Sequence, residues 1–311
     1  GANGNEVAFR EEMKGDPNPV DLAGMTDRAG AFMRRAKEAG RPFFIQMSYH
    51  ALHAAEHARQ SSLDHFAQKA ATQDLRKSPA GAALTRDLDQ AVGDLLADLA
   101  TLGFVENTYV IYMSDNGGGG KNRERVLRGG KGTIWEGGLR SPLIARGPGI
   151  SPGTVSRARV TALDLFPTFC HWAGVQPDSL PAALDGGNIA HVLQGDDATP
   201  VQRSREEIIF HFPHYQGDAP MSALYLGDHK LIHHYETGTS SLYKLRDDIG
   251  EASDLSDQHP AETDQLEGLL FAYLDEVGAQ RPAPNPDHDP SKPTITQQGG
   301  HGSKADKAKA K

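Results

Sequence analysis

Residues 109–120 read YVIYMSDNGGGG, and the fold turns on them. The first six, β-branched, aromatic and apolar, predict a short central strand over 109–114. Its carboxyl end runs straight into Asp115, Asn116 and a run of glycines. Upstream, Leu84, Leu88, Val92, Leu95, Leu99 and Leu102 recur at three- and four-residue steps. They form one apolar stripe, which predicts an amphipathic helix stopped by Gly103. Helix, strand and then polar loop is the order of an α/β fold, in which ligands sit beyond the carboxyl ends of strands. Asp115 and Asn116 place a carboxylate and an amide oxygen there, two hard donors of the kind Ca²⁺ or Mg²⁺ takes. Asn-Gly is also a favoured turn dipeptide, so the pair alone leaves a simple turn open.

On the amino-terminal side, residues 1–24 are polar and predict irregular chain. Thr26-Asp27 predicts an N-cap for a helix ending at Gly40. RPFFIQMSYH (41–50) predicts a buried strand, ending in the histidine-rich loop HALHAAEHA (50–58). Residues 57–80 are polar and poorly periodic. On the carboxyl-terminal side, SPLIARGPG (141–149) predicts a strand and VTALDLFPTFCHWAG (160–174) a helix capped by Asp164. Cys170, the one cysteine, reads as a small core residue. EIIFHF, SALYLG, HKLIHHYE and SLYKLRD, starting at 207, predict a small antiparallel sheet. Residues 261–278 predict a closing helix. The tail from Arg281 is rich in Pro, then Gly and Lys, and predicts disorder.

Composition excludes little. Of 311 residues, 38% are hydrophobic and 23% charged, which is ordinary for a globular chain. The net charge of -9 argues against nucleic acid as partner, though a local cationic pocket remains compatible with an anionic small molecule. No stretch approaches the ~20 apolar residues of a membrane span. The cationic candidate follows fifteen residues after Asn116. Arg128-Gly129-Gly130-Lys131-Gly132-Thr133 surrounds a lysine with glycines, which lets backbone approach an anion while the lysine supplies a point charge. The spacing is not that of a Walker A loop. A solvated surface loop is the plainer reading of these residues taken alone.

Taken together, SDNGG, LRGGKGTIWEGGLRSPLIARGPG and VTALDLFPTFCHWAG, in this order and spacing, resemble the formylglycine-dependent sulfatases of the alkaline phosphatase superfamily. The upstream PFFIQMSYHALH resembles that family's strand-plus-histidine segment. The resemblance covers roughly residues 25–280. It implies an α/β fold: an alkaline-phosphatase-like mixed sheet sandwiched by helices, its N-terminal part incomplete, with a small C-terminal antiparallel sheet plus helix. The expected division is 1–204 for the catalytic α/β portion, 205–280 for a small α+β subdomain and 281–311 for the tail.

The resemblance also implies roles. Asp115 and Asn116 match the pair that binds a divalent cation, usually Ca²⁺. Lys131 matches the lysine that contacts the sulfate and the nucleophile. His53 matches the histidine of the family's Ala-Pro-His segment, the candidate acid for the leaving oxygen. Leu52 stands here where the family has proline. His211 and His214, in HFPHY, and Arg128 are candidate substrate contacts. For Arg128 and Arg140, pairing with acidic neighbours is the plainer reading.

The family's nucleophile, a Cys or Ser in a Cys/Ser-x-Pro/Ala-x-Arg context converted to formylglycine, has no match, since Cys170 is followed by HWAGV. Its second pair of aspartate ligands also has no match, because Asp196-Asp197 and Asp247-Asp248 come too late in the chain. The expectation is an N-terminally truncated sulfatase acting on a sulfated small molecule or saccharide, in the periplasm or secreted, and without turnover as this chain alone. Two other readings compete: a phosphodiesterase or phosphonate hydrolase of the same superfamily, and a degenerate, non-catalytic carbohydrate-binding protein.

Overall fold

A computed structural model describes residues 19–53, 56–70, 78–118, 126–216, 218–283, 285–286 and 289. The chain divides into two compact units, one up to Tyr109 and one from Val110. Most of the expected tail, and residues 1–18 of the expected irregular start, lie outside the described residues.

The first unit is helical: α1 (Leu22–Glu38), α2 (Gln60–Ala70) and α3 (Pro79–Thr101), with α1 and α2 both packed on α3. The leucine stripe forms as predicted. Leu84, Leu88 and Leu99 are buried, and Leu84 and Leu88 share a core with Leu22, Ala58, Ala83 and Ala91. Ser78 caps α3 by accepting from the Gly81 N–H at 3.0 Å, with Pro79 in the first turn.

Three local expectations are corrected here. Helix α1 begins at Leu22, so Thr26 is interior; its hydroxyl donates to the Leu22 carbonyl at 3.0 Å, the bond a mid-helix threonine makes in place of a cap. Residues 41–50 form no strand, and Phe44 is 65% exposed. Among the described residues no strand pairs with this run, and its side chains are held instead by contacts such as Tyr49 Oη with Thr26 Oγ1 and Phe43 with Phe104. Helix α2 was not expected. It is held by buried Asp87 of α3, whose carboxylate accepts from Arg59 N–H at 2.7 Å and Ser62 Oγ at 2.6 Å. Leu63 and Phe66 add a short apolar contact with the core, too brief beside this polar anchor to stand out as a period in the sequence.

The second unit opens with β1 (Val110–Met113), antiparallel to β2 (Leu143–Arg146), with Val110 opposite Arg146 and Met113 opposite Leu143. Both strands fall where predicted, but among the described residues β1 has this one neighbour, and Tyr112 and Met113 are exposed rather than central. Helices α4 (Glu136–Leu139), α5 (Leu165–Trp172) and α6 (Ala190–Leu193) follow. Asp164 stands at the N-cap position of α5 but makes no side-chain cap bond to it; its carboxylate instead accepts from Thr161 N–H at 2.7 Å, closing a capping box on the 3-10 turn Ala162–Asp164 that leads into the helix. It is fully buried and also takes a two-pronged bond from Arg203, 2.8 Å to each oxygen. Cys170 is half-buried, not a core residue, because α5 is amphipathic and leaves Phe166 51% exposed.

The four predicted short runs form one antiparallel meander, β3 (Ile208–Phe212), β4 (Met221–Leu226), β5 (His229–His234) and β6 (Thr239–Lys244). Strand alternation gives the sheet two buried faces. Leu224, Leu231 and Leu242 point to one face and pack on Leu266, Leu270 and Leu274 of α7 (Pro260–Glu276). Met221, Ala223, Tyr225, Ile232 and Tyr243 point to the other face and pack on Ile134 and Trp135. Each fully buried leucine contributes about 1.5–3 kcal/mol. The glycine-rich loop around Lys131 is thus anchored on a real core. The expected boundary at 204/205 falls inside this second unit, just before its four-stranded sheet.

Candidate active site

The SDNG turn and the Lys131 loop are built against each other. Gly117 N–H donates to Gly138 O at 2.8 Å, Lys131 N–H to Gly118 O at 3.1 Å, and Gly137 N–H to Arg128 O at 2.7 Å. The glycines are needed for this contact. A Cβ on Gly117 would lie 2.1 Å from Gly137 O, and one on Gly138 would lie 2.2 Å from Thr133 O. Backbone can cross backbone here because there is no side chain between. The structure therefore brings the loops that carry Asp115, Asn116 and Lys131 together, as the resemblance implied. Asp115 and Lys131 are exposed and Asn116 is half-buried.

Behind the loop lies a charged cluster that reading the sequence missed. Lys230 is 0% exposed and projects from β5 on the face of Ile232. Its ammonium donates to Ile134 O at 2.9 Å, Glu136 Oε1 at 3.0 Å and Glu251 Oε1 at 2.6 Å. Glu136, 1% exposed, also accepts from Tyr225 Oη at 2.5 Å and from Arg140 Nε. Its own N–H donates to Glu251 Oε2 at 2.8 Å. Burial pushes the Glu136 carboxyl up, but Lys230 and the bonds from Tyr225, Arg140 and Lys230 outweigh it and leave the group below its usual range. Glu251 goes the other way: burial dominates and Lys230 offsets it only in part. The visible signal was one lysine inside the apolar run HKLIHH, sharing a face with Ile232.

Trp135 is held as firmly. Its Nε1 donates to Asp218 Oδ2 at 2.8 Å, and the Arg128 guanidinium stacks on its ring at 3.5 Å. Arg128 also donates to Tyr243 Oη and Glu251 O. Arg140 pairs with Glu136, the acidic-neighbour alternative for that residue.

His211 lies on the face of β3 that carries Ile209, which packs toward α7, whereas Phe210 and Phe212 face the Trp135 side. Its ring nitrogens meet Ser222 Oγ at 2.7 Å and Gln280 O at 2.9 Å. His214 is exposed, edge-on to Phe212. His53 belongs to the first unit, in an exposed turn where its N–H donates to His50 O at 3.0 Å and the Ala51–Leu52 bond is cis.

Burial, then the charges of His233 and Arg128, lower the His234 pKa from 6.5 to about 4. The unfolded chain therefore binds the extra proton between about pH 6.5 and pH 4 and the folded chain does not. Stability contributed by neutral His234 is present above this window and is lost as pH falls through it, by on the order of 3 kcal/mol. Denaturant midpoints measured across the window should fall more steeply for the parent than for His234→Gln; parallel curves would refute this origin.

For a divalent cation the donor chemistry fits, since Asp115 and Asn116 offer the hard oxygens that Ca²⁺ or Mg²⁺ takes. Among the described residues no group of three or more His, Cys, Asp or Glu could enclose a metal, so these two side chains alone would supply only part of a cation's shell.

The family model described as Sulfatase matches residues 1–175, which include both the SDNG turn and the Lys131 loop. The chain belongs to the sulfatase family. A model described as N-sulphoglucosamine sulphohydrolase, C-terminal, matches residues 130–277. A sulfatase of Formosa agariphila is 32% identical over 279 residues, 81% of this chain and 50% of that protein. N-acetylgalactosamine-6-sulfatase of Canis lupus familiaris is 34% identical over 227 residues, 70% of this chain and 39% of that protein. The solved structure of Ps i-CgsB superposes with a TM-score of 0.70 at 25% identity, covering 85% of this chain and 56% of that one. The same protein has been solved in complex with k-i-k-neocarrahexaose. The sulfatase thus has the α/β, alkaline-phosphatase-like fold the resemblance implied, and its matches span about a third to a half of the length of the curated relatives. No described helix is long and apolar enough to cross a membrane.

Proposed function

We propose that this sulfatase forms the sulfate-holding part of a sulfuric ester hydrolase whose substrates are sulfated saccharides. The observation that carries it is the interlocked pair of loops that sets Lys131 beside Asp115 and Asn116. In this reading Lys131 stabilises charge on the transferring sulfuryl oxygens. Asp115 and Asn116 hold part of the shell of a Ca²⁺, which when bound neutralises sulfate charge. His53 protonates the leaving oxygen. His214 contacts the leaving group. Arg128 and His211 complete the substrate-binding set; both carry protein partners, and His211 lies on the half-buried edge strand β3. Formylglycine is the nucleophile of the full-length protein, which works in the periplasm or outside the cell. Residues 205–280 act as a subdomain buttressing the Lys131 loop, and 281–311 as a tail.

The GGKGT-W-EGG run and the relatives' names favour sulfate over phosphate esters, and they favour an enzyme over a carbohydrate-binding remnant. The test is release of sulfate from an aryl sulfate by the full gene product, with and without a chelator. Activity should vanish on chelation and return with Ca²⁺. Undiminished turnover without a divalent cation would remove Asp115 and Asn116 from the mechanism.

A further inference from the structure

His214, Tyr215 and Gln216 are exposed in the connection between β3 and β4. This connection is fastened to the Lys131 loop twice. Asp218 accepts from Trp135 Nε1 at 2.8 Å, and within the connection Gln216 N–H donates to Asp218 O at 3.2 Å, which sets Gln216 for the second contact. Gln216 O lies 2.9 Å from where a Cβ of Gly132 would stand, so the two backbones touch one residue from Lys131. Tyr215 is 51% exposed, yet its polar end is fixed. Its hydroxyl donates to Glu236 Oε1 at 2.7 Å and accepts from Asn285 Nδ2 at 3.0 Å. Asn285 Nδ2 also donates to the same Glu236 oxygen at 3.3 Å. Glu236 lies near enough to Asp218 to raise that carboxyl further, after burial has done most of it. The tyrosine, the glutamate and the Trp135 anchor therefore form one neighbourhood.

We propose that Tyr215 is a platform for a sugar ring of the substrate, and that Glu236 makes it selective for a ring with no anionic group of its own. The proposal rests on the sulfate-ester reading. A tyrosine with a tethered hydroxyl presents a rigid, amphipathic face at little entropic cost, which suits the C–H face of a pyranose. An ionised carboxylate is acceptor-only, so it can receive sugar hydroxyls but opposes a second sulfate or a uronate beside it. Lys131 would take the one sulfate to be cleaved, and Glu236 would turn away a ring carrying another.

Steady-state kinetics of the full gene product test this with three kinds of substrate: a small aryl sulfate, a panel of monosulfated neutral disaccharides, and their disulfated counterparts. Tyr215→Ala should raise KM for the preferred monosulfated disaccharide about tenfold and leave that for the aryl sulfate within about twofold. Tyr215→Phe, which keeps the ring, should retain most of the affinity. Glu236→Gln should narrow the preference against disulfated substrates. Equal effects of Tyr215→Ala on all substrates, no effect on any, or a parent enzyme that cleaves the aryl sulfate and no disaccharide would each overturn the platform. Sulfate release from no ester at all would instead sink the functional reading beneath it.

Discussion

Lys230→Met is expected to destabilise the second unit by about 3–5 kcal/mol, the cost of removing one partner from a buried ionic cluster. Lys230 is fully buried and is the cation shared by Glu136 and Glu251. Without it, the buried Glu251 carboxylate keeps the Glu136 N–H, and the buried Glu136 carboxylate keeps Tyr225 Oη and Arg140 Nε, with no cation shared between the two acids. One of them then takes up a proton in the folded state. The sign follows: a carboxyl whose folded pKa is raised binds a proton that the unfolded chain has released, so stability falls as pH rises above the unfolded value. The loss should be smaller at about pH 5 than at about pH 8. Urea midpoints at the two pH values measure it, and a pH-independent loss would mean that Lys230 acts by packing alone. The consequence reaches the candidate site, because the same ammonium holds Ile134 O and Glu136, at the end of the loop that carries Lys131.

Lys131→Ala is expected to lower kcat/KM for a sulfate ester about 10²–10³-fold in the full gene product. The effect should fall on kcat, since a cation aimed at sulfuryl oxygens gains most as charge develops there. Stability should change by no more than about 0.5 kcal/mol, because Lys131 is exposed and its loop is held by backbone bonds and by Trp135. Circular dichroism and kinetics on the same preparation separate these outcomes. A variant with full activity would return Lys131 to the status of a surface lysine. Lys131→Arg should not restore the rate, since a planar fork does not replace a compact ammonium among glycines.

The parts of this chain that follow simple periods were legible in its residues. The leucine stripe of α3, the runs of β3 to β6 and the closing helix α7 all carry their own pattern, and all formed. Taken alone, Asp115-Asn116 and Lys131 read as a turn and a surface loop, and only the resemblance joined them; the glycines on either side of Lys131 and after Asn116 proved to be the reason the loops can interlock. What stayed hidden depends on partners distant in sequence. Helix α2 is fastened by Asp87, and residues 41–50 look like a strand in composition while no described strand pairs with them. Glu136, Lys230 and Glu251 meet from three separate segments, and charges that pair only in three dimensions leave no local period. His211 illustrates the limit on sites: its motif was readable, but the face it occupies depends on the register that sets it opposite Ser222.

The most direct test of the central claim is the relative rate at which the full gene product cleaves an aryl sulfate and the matching aryl phosphate mono- and diesters. A sulfate-holding Lys131 loop predicts that the sulfate ester is cleaved fastest, with the rate lost in Lys131→Ala. Preferential cleavage of either phosphate ester, or no cleavage of the sulfate ester, would contradict the account.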